Sequence, residues 1–160
     1  MRSLDSHHHK GSENALKCWW KKRNPALVII NFLVIYLAGF SPSMALKRVM
    51  YRSIGMKIGK DTCIGLMAMF DVFYPELIEI GDNCIIGYGA TLLAHDVSVT
   101  KWRTGKVRIG NNVLIGANST LLAGVTVGDN SIVSAMSLVN KDVQKNSMVG
   151  GVPARFIRRC

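Results

Sequence analysis

From Ile58 onward an aliphatic or aromatic residue leads every sixth position, with two breaks: Ile58, Ile64 and Phe70, then Ile80, Ile86 and Leu92, then Ile109, Ile115, Leu121, Val127, Val133 and Val139. Seven of these twelve leads are followed directly by Gly. The fifth position of the hexads is small or β-branched, as in Thr62, Ala68, Cys84, Ala90, Val113, Ser119, Val125, Ser131, Ser137 and Val143. Six residues make one short strand and one tight corner, so three hexads close a triangular coil. Lead and fifth side chains would fill its interior, Gly and Asn would take corners that need positive φ, and each strand would pair with its copies above and below. A β-sandwich alternates with period two and turns irregularly, and the unbroken phasing from Ile109 to Val143 argues against it.

Upstream the pattern is different. Met1 to Asn24 is polar and basic, reading as a flexible tail over residues 1–24, and it carries His7, His8 and His9. An apolar run follows from Ala26 to Phe40, whose helix would be about 22 Å long against a hydrocarbon core of about 30 Å. Three readings compete for it: a cleaved signal peptide, opposed by Lys47, Arg48 and Arg52 just after it; an interfacial helix, with Trp19 and Trp20 at headgroup depth; and a helix packed on the body or on a partner subunit. Ser41-Pro42 would open a second helix, with its apolar side through Leu46, Val49 or Met50, and Ser53 or Ile54, stopping at Gly55. The expected organisation is a tail over 1–24, two helices within 25–55, the hexad column over 56–144 and a short C-terminal segment over 145–160.

Composition sharpens this picture in two places. Residues 1–60 hold 11 basic and 2 acidic side chains, whereas 61–160 hold 9 and 8, so the net charge of +10 belongs to one end. A nearly neutral body argues against nucleic acid, whose phosphates need cations spread over a docking face. A polybasic arm beside apolar residues suits an anionic membrane surface, with contact through residues 17–54 at its cytoplasmic, inner face. Cys18, Cys63, Cys84 and Cys160 show no C-x-x-C pair and no metal-finger spacing, which reads as buried or incidental thiols in a reduced compartment and as no metal site.

The block Ile109-Gly-Asn-Asn-Val-Leu-Ile-Gly-Ala-Asn-Ser-Thr-Leu-Leu-Ala-Gly-Val-Thr-Val-Gly, its Lys141-Asp142-Val143, and Gly150-Gly-Val-Pro-Ala-Arg155 resemble the hexapeptide-repeat acyltransferases, in the branch of maltose, galactoside and xenobiotic O-acetyltransferases. The resemblance covers roughly residues 47 to 159. It implies an all-β solenoid, a left-handed parallel β-helix with an N-terminal helical extension and a short C-terminal one. It also implies acetyl-CoA as acyl donor and a homotrimer with each active site between neighbouring columns. The left hand comes from the resemblance alone, because the usual crossover rule favours the other. By position, the family's donor contacts fall on Ala117, Ala135, Asn140, Lys141, Arg155 and Arg158. Met136, Asn140 and Leu114 depart from the usual Gly, Thr and Trp, which bears on the length of the acyl group.

Two insertions break the phasing, Asp71–Glu79 and His95 to about Lys106, and loops extruded from a rigid scaffold commonly carry function. His95 stands at the root of the second, where the resemblance implies the family's general base. An imidazole titrates near neutrality, so it can take a hydroxyl's proton while the oxygen attacks a thioester and then return a proton to the leaving thiolate. Its other ring nitrogen needs an acceptor, either a backbone carbonyl or a carboxylate such as Asp71, Glu76 or Asp96. Asp71, Tyr74, Trp102 and Arg103 are candidate contacts for a sugar or glycan-like acceptor. Two other classes stay open: a noncatalytic scaffold on the same fold, and an N-acetyltransferase acting on an amino sugar. A zinc hydratase would need three histidine ligands, and the column supplies one.

Overall fold

In a computed structural model that describes residues 2–8 and 14–160, the hexads stack into a three-sided column. The first face is a parallel sheet of Lys57–Ile58, Ile78–Ile80, Val107–Ile109 and Thr126–Val127, extended by a bridge from Val127 to Val143. The second carries Cys63–Ile64, Ile85–Ile86, Leu114–Ile115, Ile132–Val133 and Ser147–Gly150. The third carries Met69–Phe70, Thr91–Leu92, Thr120–Leu121 and Leu138–Val139. Register places lead over lead: Ile58, Ile80, Ile109 and Val127 on the first face, and Phe70, Leu92, Leu121 and Val139 on the third. Every lead and every fifth-position residue named above is buried. Buried hydroxyls at the fifth position find main-chain acceptors, with Thr62 Oγ1 donating to Gly81 O at 2.8 Å and Ser119 Oγ to Ser134 O at 2.8 Å. A polar atom inside the column is tolerated because it is paired.

The corners divide two jobs that the sequence reading had merged. The glycines after the leads do not carry positive φ; they are bare because the next coil lies directly over them. A Cβ on Gly116 would come within 2.3 Å of Ala135 N, and one on Gly81 within 2.6 Å of Gly110 O. The left-handed conformation falls two residues further on, at Asp61, Met67, Asn83, Asn112, Asn118, Asn130, Met136 and Asn146. Asn tolerates that region better than other non-glycine residues. On the edge between the first and second faces these asparagines also bond upward, from Asn83 to Asn112 at 2.9 Å, then to Asn130 and to Asn146 at 3.1 Å each.

A stack of coils leaves open backbone groups at its ends, which would invite further strands unless covered. At the N-terminal end two helices cover them: α1 (Pro25–Phe40), capped by Asn24, and α2 (Met44–Ser53), capped by Ser43. Lys47 Nζ donates to Ile64 O at 2.9 Å and Gly65 O at 3.0 Å, and Arg52 Nε donates to Ile58 O at 3.0 Å. This shifts the buried face of α2 from the expected one, keeping Met50 and Ile54 partly buried against the core but not Leu46 or Val49. Its buried residues are Lys47 and Tyr51, the latter edge-on to Phe70 at 4.8 Å, while Leu46 and Val49 face outward. Edge carbonyls demand donors, and Lys47 and Arg52 provide them. Gly55, at φ +93°, ends the helix as expected.

On α1 only Val28, Asn31, Ile35, Ala38 and Gly39 are buried, and Asn31 Nδ2 donates to Val72 O at 2.9 Å. Leu27, Ile29, Ile30, Phe32, Leu33, Tyr36, Leu37 and Phe40 remain 46% to 62% exposed. Among the described residues no helix is long and apolar enough to cross a membrane.

The described part of the N-terminal segment is structured, where the sequence suggested a flexible tail. Asp5–His8 forms a strand antiparallel to Lys101–Thr104, which pairs in turn with His95–Val97, and Ala15–Lys21 is a 3-10 helix. Backbone pairing with an otherwise open hairpin edge supplies hydrogen bonds that the polar composition of this segment does not advertise. His9 and residues 10–13 lie outside the described residues, as do the side chains of His8 and Cys18. At the other end, Arg155–Arg159 folds back antiparallel on Ser147–Gly150. Cys84 is buried, and Cys63 and Cys160 are exposed free thiols.

Candidate active site

The two insertions leave the column at the edge between its third and first faces, one coil above the other. Asp71 follows Phe70 and His95 lies three residues after Leu92, so the stacking of Phe70 on Leu92 brings their backbones together. Asp71 Oδ2 accepts from His95 Nδ1 at 2.5 Å, from His95 N at 2.8 Å and from Ala94 N at 2.7 Å. Its Oδ1 accepts from Phe73 N at 2.9 Å and Tyr74 N at 3.0 Å. The Asp71 side chain is fully buried, whereas that of His95 keeps 18% of its surface open. Burial pushes the Asp71 carboxyl up, but the His95 hydrogen bond and charge and the Tyr74 and Ala94 amides together hold it below the usual carboxylate range. An ionised carboxylate on Nδ1 makes that nitrogen the one bearing hydrogen, and leaves the Nε2 lone pair free to accept a proton.

Aromatic side chains fix the ring. Trp102 stacks on His95 with centroids 5.5 Å apart and planes at 19°, and Phe73 meets it edge-on at 4.9 Å. Trp102 Nε1 donates to Tyr74 Oη at 3.1 Å, and the Arg23 guanidinium lies over the Tyr74 ring at 4.4 Å. Arg23 also donates to Phe73 O at 2.6 Å and pairs with Glu76. Asp96 is paired with Arg103 at 2.6 Å.

Of the three carboxylates considered for orienting His95, Asp71 is therefore the one that does so. Two acceptor expectations change with it. Asp71 has all its capacity taken by donors of this chain, and Trp102 is 1% exposed, so neither offers a free surface to an acceptor. Burial against the hairpin and stacking on the imidazole make both of them supports of His95. Tyr74 is half-buried, and Arg103 keeps a buried Nε without a partner.

The residues carried over as donor contacts are spread along the column. Asn140 and Lys141 stand on the His95 edge, two coils beyond it, and Asn140 Oδ1 is buried without a partner among the described residues. Ala117 and Ala135 lie on the next edge, between the second and third faces, where Met136 N donates to Ala117 O at 2.9 Å. Arg155 joins Asn140 and Lys141 around a cavity of about 290 Å³ at the C-terminal end, and Arg158 is exposed on the returning strand. Among the described residues no cluster of three or more His, Cys, Asp or Glu could hold a metal ion.

A family model described as "Hexapeptide repeat of succinyl-transferase" matches residues 55–94 and 106–138, which is most of the column without the His95 hairpin and the last coil. YvoF of Bacillus subtilis (strain 168), a protein named for acetyltransferase activity, is 44% identical over 158 residues, covering 98% of this chain and 91% of that one. The chain belongs to the hexapeptide-repeat acetyltransferase family. Two solved structures extend the likeness. A hexapeptide-repeat acetyltransferase of Vibrio cholerae O1 biovar eltor complexed with acetyl coenzyme A is 25% identical, with a TM-score of 0.71 over 84% of this chain and 87% of that one. A galactoside acetyltransferase in complex with coenzyme A is 26% identical, with a TM-score of 0.68 over 84% of this chain and 81% of that one.

Within this hexapeptide-repeat acetyltransferase, sequence reasoning missed three contributors. Phe73 borders the imidazole, Arg23 braces the Tyr74 loop from the supposed tail, and the arm Asp5–His8 extends the hairpin that carries His95. Only Arg23 left a signal, as the last cation before the cap of α1, and nothing in its spacing pointed to a loop fifty residues away.

Proposed function

We propose that this acetyltransferase moves an acetyl group from acetyl-CoA to a hydroxyl of a sugar or glycan-like acceptor, with His95 as general base. The observation that carries the reading is the buried Asp71 carboxylate on His95 Nδ1, which leaves Nε2 as the accepting nitrogen beside a partly open surface. His95 takes the acceptor's O–H proton as that oxygen bonds the acetyl carbonyl carbon. The carbon–sulfur bond then breaks, and the proton passes from His95 to the departing thiolate. Asp71, in contact with neither reactant, holds the tautomer and steadies the imidazolium.

Support for the donor site is the chemistry of the residues on hand. Asn140 Oδ1 is a buried acceptor without a partner, and Lys141, Arg155 and Arg158 are exposed cations suited to phosphates. His95 and the Ala117–Ala135 pair stand on different edges of one column. This favours a homotrimer of left-handed columns, the hand being that of the family, in which the edge of one protomer meets the groove of its neighbour. A threefold mass in light scattering is the expected result, and a monomer with full turnover refutes it. The exposed apolar side of α1, flanked by Lys21, Lys22 and Trp20, supports peripheral attachment to the cytoplasmic membrane face. Flotation with anionic vesicles should be lost when residues 1–40 are removed.

The decisive experiment is thiol release from acetyl-CoA against a panel of sugars and glycolipids. His95→Ala should remove most turnover while CoA binding and folding persist. An active His95→Ala protein sinks the base assignment, a protein inert towards every acceptor favours the scaffold, and an amide-linked product makes the acceptor an amino sugar.

A further inference from the structure

The edge that bears His95 continues upward to Gly105, Gly124 and then Asn140, and along it lies the N-terminal arm. Ser3 N donates to Gly124 O at 3.2 Å, and the Ser3 carbonyl sits where side chains of the two glycines would stand. A Cβ on Gly124 would fall 2.3 Å from Ser3 O, and one on Gly105 would fall 2.6 Å from the same atom. Two bare positions on successive coils thus form the bed in which the arm's backbone rests. Downstream of Ser3 the arm pairs with the hairpin, Asp5 opposite Thr104 and His7 opposite Trp102. Upstream, its first described residue reaches the donor end of the edge.

There Arg2 and Leu4 close a cavity of about 500 Å³ with Asn140 and Lys141. Two polar atoms of the residues that line it, Arg2 Nη1 and Asn140 Oδ1, are buried and make no hydrogen bond among the described residues. One is a cationic donor and the other a neutral acceptor, and they do not bond each other. A buried guanidinium nitrogen and a buried amide oxygen are each costly to leave unpaired. Arg2 and Lys141 together call for an anionic group, and Asn140 calls for an N–H. A ligand with phosphates and amides along one flexible arm meets both demands.

We propose that Arg2 is a donor-binding residue, its guanidinium taking a phosphate of acetyl-CoA beside Lys141 while Asn140 accepts from an amide of the pantetheine arm. This rests on acetyl-CoA as the donor and adds the N-terminal arm to its site. The arm then joins the two halves of the reaction, since the strand that extends the His95 hairpin also delivers Arg2.

The test is calorimetry of CoA and 3′-dephospho-CoA with the full-length wild type, Arg2→Ala and Arg2→Lys, alongside steady-state kinetics and thermal melting. Loss of a charge-assisted hydrogen bond should weaken CoA binding and raise the KM for acetyl-CoA by roughly tenfold in Arg2→Ala. Arg2→Lys should recover part of the loss, kcat and acceptor KM should not move, and melting of the ligand-free protein should not fall. If 3′-dephospho-CoA loses as much as CoA on Arg2→Ala, the phosphate held is the diphosphate; if it loses nothing, it is the 3′-phosphate. Unchanged CoA affinity in Arg2→Ala overturns the inference, as does a lowered melting temperature with unchanged affinity, which would make Arg2 merely structural. A wild type that takes up no CoA brings down the donor assignment itself, whereas tight wild-type binding equalled by Arg2→Ala brings down only the role of Arg2.

Discussion

Replacing Asp71 by Asn changes one atom at the centre of the site, and the hydrogen-bond pattern dictates the consequences. Five donors converge on the Asp71 carboxylate: His95 Nδ1 and the amides of Phe73, Tyr74, Ala94 and His95. An amide group has one acceptor oxygen, so its NH2 must face either the Phe73 and Tyr74 amides or the Ala94 and His95 amides. Each buried N–H left unpaired costs about 1–3 kcal/mol, so Asp71→Asn should destabilise the fold by about 2–6 kcal/mol from two such losses. If the NH2 turns to His95, it donates to Nδ1 and the ring hydrogen moves to Nε2, where no proton can then be accepted. The comparable carboxylate-to-amide change behind a catalytic histidine lowers kcat by about 10⁴, and a fall of about 10³ to 10⁴ is expected here with the acceptor KM little changed. ¹⁵N NMR of labelled histidine reads the tautomer without any acceptor, showing hydrogen on Nδ1 in the wild type and on Nε2 in the variant. Linkage gives a further readout. The folded carboxyl is depressed, so its stabilisation is present above the unfolded value of about 4 and is lost as pH falls through the lower folded value. Asp71→Asn should therefore flatten the acid limb of the stability curve. A variant with wild-type kcat and an unaltered tautomer would refute the reasoning, however unstable it proved.

Other expectations arise from the column. Gly116→Ala places a Cβ 2.3 Å from Ala135 N and should lower stability by more than about 2 kcal/mol; Gly39→Ala, whose Cβ would lie 4.0 Å from Met67, should raise it by about 0.5–1 kcal/mol, and urea melts of the pair compare them directly. Met136 holds φ +59° with 68% of its surface exposed, so Met136→Gly relieves strain without loss of packing and should gain about 1 kcal/mol by thermal denaturation. Lys47→Met keeps the volume but leaves the Ile64 and Gly65 carbonyls without their donor, and a loss of about 1–3 kcal/mol is expected; no change would mean water serves them equally well.

The hexad leads were legible because each of them, from Ile58 to Val139, performs the same task in the same register. A repeated physical demand writes a repeated residue type. The same regularity disclosed the two insertions and so His95. The face of α2 was legible at Met50 and Ile54 and missed at Lys47 for a related reason. Helical periodicity marks Leu46 and Val49 as apolar, but the end of a β column asks for hydrogen-bond donors, and Lys47 answers that demand at a position that pattern alone calls solvent-facing. Met136 and Met67 occupy corners where φ is positive, and nothing in a methionine signals that conformation.

Local chemistry therefore settled the period, the three-sided coil, the buried leads and the histidine at the root of a loop, since each depends on residues within one hexad or its neighbours. Tertiary structure alone chose Asp71 over Glu76 and Asp96 as the partner of His95, turned Trp102 from an acceptor contact into a wall of the imidazole, and laid Arg23 and the Asp5–His8 arm against the loops that carry Asp71 and His95. Apart from Trp102 and His95, which share one hairpin, those contacts join residues separated by between about twenty and a hundred positions. Which of several chemically equal carboxylates or arginines arrives is decided by how the coils stack, because stacking, not sequence distance, sets which side chains come within hydrogen-bonding reach.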